Sequence, residues 1–174
     1  MGAKDPKVFQ LTMKLKTQGD VIGDSVAKHG ALDFSKGMMC HAFTYTVTSQ
    51  FDAGSAQLVG RRVHTAITIV REVDAASPLL WSALCSNETF TAAKLSFVRP
   101  DNAGKLALYH SIALENGAIV RYRTWHGILP GSGEVLEQYH TNELEEFDMV
   151  FQKITYSNDA NSKSGIDNWQ AHGA

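Results

Sequence analysis

Period-two alternation runs through this chain from its first residues almost to its last, and it leaves little room for any fold but sheet. In VFQLTMKLK (residues 8–16), Phe9, Leu11, Met13 and Leu15 fall on one side and Gln10, Thr12, Lys14 and Lys16 on the other. A strand with one buried face reads this way, because successive side chains point to opposite faces. MMCHAFTYTVT (38–48) repeats the pattern in aromatic and β-branched residues, with Phe43, Tyr45 and Val47 on one face and the small Ala42, Thr44 and Thr46 on the other. Further strand-like runs are VHTAITIVREV (63–73), FTAAKLSFVR (90–99), KLALYHSIALE (105–115), AIVRYRTWHGI (118–128) and LEEFDMVFQKITY (144–156). Asn116-Gly117 between two of these runs predicts a hairpin turn. A slip of phase near Lys153 predicts a bulge.

One segment breaks the rule. Ser77-Pro78 offers an N-cap acceptor followed by proline at the first helical position; Leu79, Leu80, Ala83 and Leu84 recur at helical spacing; and Asn87 makes a stop. The prediction is one short α-helix at about residues 78–86, with its Leu/Ala stripe on the sheet and Trp81 and Ser82 at or near the opposite side. The fold class is therefore mainly β: an antiparallel β-barrel or closed sandwich of about seven or more strands, with one helix on its side. The chain reads as a single domain over 1–174, with 1–7 and about 158–174 as flexible or extended termini. Residues 17–37 are read mostly as loop, and SQFDAGSAQLVGRR (49–62) and 130–142 as long loops. Long ordered loops in compact domains are usually functional or contact-making.

The residue types that carry chemistry are present but scattered. A net charge of −2 supplies no basic field for nucleic acid or an anionic membrane. No apolar run approaches the roughly 18 residues of a membrane-spanning helix. The opening MGAKDPKVFQ lacks the apolar run of a signal peptide. His29, His41, His64, His110, His126, His140 and His172 show no metal-ligand spacing and are read as surface or interface residues. Cys40 and Cys85 are read as small buried hydrophobes in a reducing compartment. Gly131-Ser132-Gly133 fits neither a phosphate loop nor a nucleophile elbow. Glu143, Glu145, Glu146 and Asp148 read as a solvated strand edge, and Arg121, Arg123 and Trp125 as a salt-bridged outer face. No catalytic residue, metal or cofactor is expected, and the chain is not read as an enzyme.

The stretch HTAITIVREVDAASPLLWSALCSNETFTAAKLSF resembles the Hcp family, the haemolysin-coregulated proteins of type VI secretion. There a strand runs into D-x-x-S-P-x-L, then the single helix, then a strand; the matching residues are Asp74, Ser77, Pro78 and Leu80. The family's early glycine and following turn are similar to Gly19 and Ile22-Gly23-Asp24-Ser25, its closing strand to FDMVFQKITY, and its D-x-W tail to Ile166-Asp167-Asn168-Trp169. The resemblance covers about residues 8–172. The stretch before the first strand and the loop 24–37 are longer than is usual in the family.

The resemblance implies a structural subunit that forms homo-hexameric rings. The rings stack into a tube inside a contractile sheath, and the tube is fired from the cell with effector proteins carried in its lumen. It further implies a protein made in the cytoplasm, secreted without a signal peptide, with tube-tip and sheath proteins as partners. It places Ala42, Thr44 and Thr46 towards the lumen with Phe43 and Tyr45 in the core. It makes Phe51, Leu58, Val59, Arg61 and Arg62 ring-stacking contacts, and Trp81 and Ser82 a subunit or sheath contact. The competing reading is a monomeric β-barrel that binds a small ligand, with Phe9, Leu11, Phe97, Leu108, Phe147 and Phe151 lining a cup.

Overall fold

A computed structural model describes residues 8–126 and 143–169. The strands are β1 (Phe9–Leu15), β2 (Gly19–Asp20), β3 (Lys28–His29), β4 (Leu32–Asp33), β5 (Met38–Cys40), β6 (Ala42–Thr44), β7 (Val47–Thr48), β8 (Phe51–Asp52), β9 (Gln57–Leu58), β10 (Val63–His64) and β11 (Ile67–Glu72). The helix α1 (Ser77–Cys85) follows, then β12 (Thr89–Pro100), β13 (Leu106–Trp125), β14 (Leu144–Asn158) and β15 (Lys163–Asn168).

The main sheet runs antiparallel in the order β2-β1-β12-β13-β14-β11-β6, with β5 also on β1 and β15 also on β14. Only His41 separates β5 from β6. The first pairs Phe9 with Cys40 and Leu11 with Met38; the second pairs Ile69 with Phe43 and Val70 with Ala42. The His41 N–H donates to the Val70 carbonyl at 3.0 Å. One interrupted strand thus ties both ends of the path, and the sheet wraps into a barrel-like body rather than a continuous closed ladder. Leu11, Leu95, Ile112, Ile67, Ile69, Phe147 and Met149 fill its interior. Residues 24–37 fold down onto this body: β3 and β4 pair, and the turn Phe34–Lys36 buries Phe34 beside Leu32.

Among the described residues the mainly β, single-helix expectation holds, with two local corrections. Asn116-Gly117 makes no hairpin. β13 runs through it as one strand, pairing β12 on one side and β14 on the other. Asn116 does take the left-handed φ of +51 that favours this residue pair. It is spent on a kink: inward positions switch from Ile112 and Leu114 to Gly117 and Ile119. A Cβ on Gly117 would collide with the Val150 carbonyl and the Phe90 ring, so glycine is needed for close approach. The phase slip near Lys153 is the partner strand following that kink. Glu115↔Lys153 and Gly117↔Phe151 stay in register, and the irregularity lies instead between Ile119 and Arg121.

The helix starts one residue earlier than predicted, with Ala76 rather than Ser77 at its N-cap and no side-chain cap bond, and Asp74 fixes the turn that leads into it. Its Oδ1 accepts from Ala76 N–H at 2.8 Å, and its own N–H donates to Ser77 Oγ at 2.9 Å. Asn87 ends the helix in the left-handed region (φ +54), with Glu88 N–H donating to Ala83 O and Asn87 N–H to Leu84 O. Leu80 and Ala83 are buried and Leu79 and Leu84 pack against the core, as the stripe predicts. Cys40 is buried, but Cys85, at the last helical residue, is exposed and is no core hydrophobe.

Candidate assembly surface: an exposed arm and its root

Residues 46–65, read in part as an aperiodic loop, form a two-stranded arm. Thr65 N–H donates to Thr46 O, β7 pairs β10, Val59 N–H donates to Gln50 O at 3.0 Å, and β8 pairs β9. At its tip Asp52 accepts from the Ser55 N–H and hydroxyl, and Ala56 turns the chain with φ +55. Every residue from 46 to 61 is exposed. With no buried side there is no alternation to read; backbone bonds alone carry the ladder.

The arm carries apolar residues where water would be cheaper met by polar ones. Phe51 is 65%, Leu58 76% and Val59 63% exposed. Phe51 and Leu58 are cross-strand partners and share one face. Val47 and Val63 are exposed nearer the root. Arg61 is exposed, whereas Arg62 turns back towards the body.

At the root, Arg62 binds the Asp167 carboxylate of β15 through both Nε and Nη2. His64 Nε2 lies 2.6 Å from Asp167 Oδ2, and its Nδ1 lies 2.6 Å from the Tyr45 hydroxyl. The carboxylate can only accept, so Nε2 carries the hydrogen; in the neutral ring Nδ1 then accepts from Tyr45. Trp169 tilts over the His64 ring at 5.0 Å between centroids, and Phe151 meets that ring edge-on at 5.7 Å. Hydrogen bonds from Arg62, aided by His64 and opposed by partial burial, hold the Asp167 carboxyl down at about 2. By sequence His64 reads with the other histidines as a surface or interface residue; its side chain is only 5% exposed.

The other predicted site residues lie apart from this root. Ala42, Thr44 and Thr46 are exposed along one face of the β6 segment. Phe43 packs inward against Phe9 and Phe97, and Tyr45 against Phe151. Trp81 stands 56% exposed on the helix, and Ser82 beside it is half-buried. On the outer sheet face Arg121 pairs with Asp148 and Glu146, and Arg123 pairs with Glu146 and lies over Trp125. Gly131-Ser132-Gly133, His140 and His172 fall outside the described residues. Among the described residues, no group of three or more His, Cys, Asp or Glu could hold a metal, and no helix is long and apolar enough to cross a membrane.

Residues 13–157 match the sequence model of a family described as "Type VI secretion system effector, Hcp". A curated relative, the "Major exported protein" of Pseudomonas aeruginosa, is 30% identical over 157 residues, covering 90% of this chain and 89% of that one. The chain belongs to the Hcp family. It is a type VI secretion protein. Solved Hcp structures share the fold. A "Crystal structure of Hcp protein" superposes with a TM-score of 0.77 at 21% identity, covering 94% of this chain and 99% of the other. Hcp1 of Escherichia coli EAEC 042 gives 0.75 at 22%, covering 95% and 99%. Hcp3 of Pseudomonas aeruginosa gives 0.69 at 21%, covering 94% and 98%.

In this Hcp chain the two motif segments that carry the resemblance bind each other. The Asp74 Oδ2 accepts from Asp24 N–H at 3.1 Å, and Asp24 Oδ2 from Ala75 N–H at 3.3 Å. Gly23 lies so close that any Cβ would run into the Asp74 carboxylate. Arg71 reaches Asp74 at 2.5 Å and Glu145 at 2.6 Å, and the Tyr122 hydroxyl donates to Glu145. Arg71 is 1% and Glu145 0% exposed. Glu145 is thus no solvated edge residue. β14 has neighbours on both sides, and Glu145 points inward to meet Arg71. Burial works against the Asp74 charge, but the Arg71 hydrogen bond and charge outweigh it and lower its pKa. The same burial pushes the Cys40 thiol up to about 12.

Proposed function

We propose that this chain is the structural subunit of a type VI secretion tube: one domain that associates into hexameric rings, which stack and carry effector proteins in the lumen. The observation that carries this reading is the arm. A body with its own filled core projects a hairpin whose Phe51, Leu58 and Val59 are left uncovered by the described residues. Exposed apolar residues gathered on one projecting element mark an interaction site. A second copy is the occupant that family membership favours.

In this reading Phe51, Leu58, Val59 and Arg61 contact the next ring. The exposed Ala42, Thr44 and Thr46 line the lumen, and their small, uncharged side chains suit passage of varied cargo. Trp81 and Ser82 face a neighbouring subunit or the sheath; a half-buried Trp is a frequent anchor at interfaces. The role is structural rather than catalytic. The protein is made in the cytoplasm and leaves with the tube, in keeping with the exported relative; tip and sheath proteins are its further partners. The ligand-cup reading is not favoured, because the interior is filled by Leu11, Leu95, Ile112, Phe147 and Met149.

The test is solution mass by light scattering together with negative-stain images, on the wild-type chain and on Phe51→Ser/Leu58→Ser. Six-membered rings that stack in the wild type and stay single in the variant are expected. A wild-type monomer at high concentration overturns the reading.

A further inference from the structure

The arm is a two-stranded ribbon, and such a ribbon is marginally stable at best in water. The described hydrogen bonds of its exposed tip stay within the arm and do not set its angle to the body. The root does. Arg62 and His64, both on the returning strand, converge on the single carboxylate of Asp167, and Tyr45, on the outgoing side, holds the other nitrogen of His64. Asp167 is itself fixed by the ladder of β15 on β14, opposite Ile154. Trp169, two residues on, closes over the imidazole. Both strands of the arm are therefore tied to the C-terminal strand through one acceptor. With its carboxyl held near 2, Asp167 stays ionised at any ordinary pH.

We propose that Asp167, with Arg62, His64 and Tyr45, is the positioning cluster that fixes the arm on the body, so that β15 governs whether the arm is presented for stacking. This rests on the stacking role proposed above. It also changes the part given to Arg62: its guanidinium braces the arm from below and is not free to contact the next ring. Charge-assisted hydrogen bonds are the strong ones, and a bidentate pair fixes direction as well as distance.

Hydrogen exchange separates the brace from the stacking. The amides of Val59 and Thr65, bonded across the arm, are followed in the full chain under conditions that keep rings single, with the buried Leu95 as a check on the fold. In Asp167→Asn and Asp167→Ala, exchange at Val59 and Thr65 should rise about ten-fold or more while Leu95 is unchanged. The swap Arg62→Asp/Asp167→Arg should recover much of the protection, and Lys163→Gln, on the same strand, should change nothing. Unaltered arm exchange in both Asp167 variants overturns the brace, as does an equal rise at Leu95 in the isosteric Asp167→Asn. Images of the same samples then report on stacking. If the wild type never stacks, the tube reading fails and the exchange result still decides the brace. If the wild type stacks and Asp167→Ala stacks equally well, control by β15 is overturned.

Discussion

Between residues 46 and 61 the arm buries almost nothing, whereas Arg71 and the distant Glu145, joined by the partly buried Asp74, form an ionic cluster whose centre water scarcely reaches. The two regions put their side chains in the wrong places by ordinary rules: apolar groups outside, charges inside. The reasons differ. In the corner each charge has its partner within the chain, and removing one leaves another buried and alone. On the arm the apolar residues are left exposed by the described residues of the body. The corner is complete in one copy; on the proposed tube reading, a second copy completes the arm.

The sharpest way to break this contrast is Arg71→Met. It leaves Glu145 and Asp74 without their cation and should cost about 3–5 kcal/mol in urea unfolding, the range for halving a buried ion pair. A loss below about 1 kcal/mol would show the corner to be hydrated in solution. Gly23→Ala forces a methyl against Asp74 and should cost about 1–3 kcal/mol by overpacking, without changing any charge. Phe51→Ser/Leu58→Ser should leave unfolding of the unassembled chain within about 0.5 kcal/mol of wild type, as for exposed positions generally. A larger loss would mean that the arm packs on its own body. Smallest of all, one thiol should react with a maleimide in the folded chain without changing its stability. Cys85 is exposed, and Cys40 is buried with its thiol held protonated up to about pH 12. Because the unfolded thiol ionises from about pH 9, the Cys40 share of stability should be present below that pH and fade as pH rises towards 12.

The body was legible in the sequence because burial writes a period into a strand. Phe9, Leu11, Met13 and Leu15 alternate because one face is inside, and Leu80 and Ala83 fall on one side of the helix for the same reason. The arm was not legible, since a ribbon wet on both faces has no period. Asn116-Gly117 misled because left-handed backbone serves a kink as well as a turn, and only the long-range pairing of β13 with β12 and β14 decides between them. Glu145 was placed in solvent because its partner, Arg71, sits far away in sequence. The root cluster had one local signal, the Asp167-Asn168-Trp169 tail; what Asp167 holds, more than a hundred residues earlier, is visible only in space.

The bent segment from Met38 to Thr44 bears on how such a chain stays dissolved. By joining β1 to β11 it gives both of these strands a second neighbour along part of their length, where the sheet would otherwise end. Open strand edges invite unwanted pairing with other chains. Among the described residues, one-sided backbone remains at β2, the outer side of β15, the two rails of the arm and the stretches of β12 and β13 that run past a partner. A chain with fewer open edges can meet its copies in more orientations without sticking.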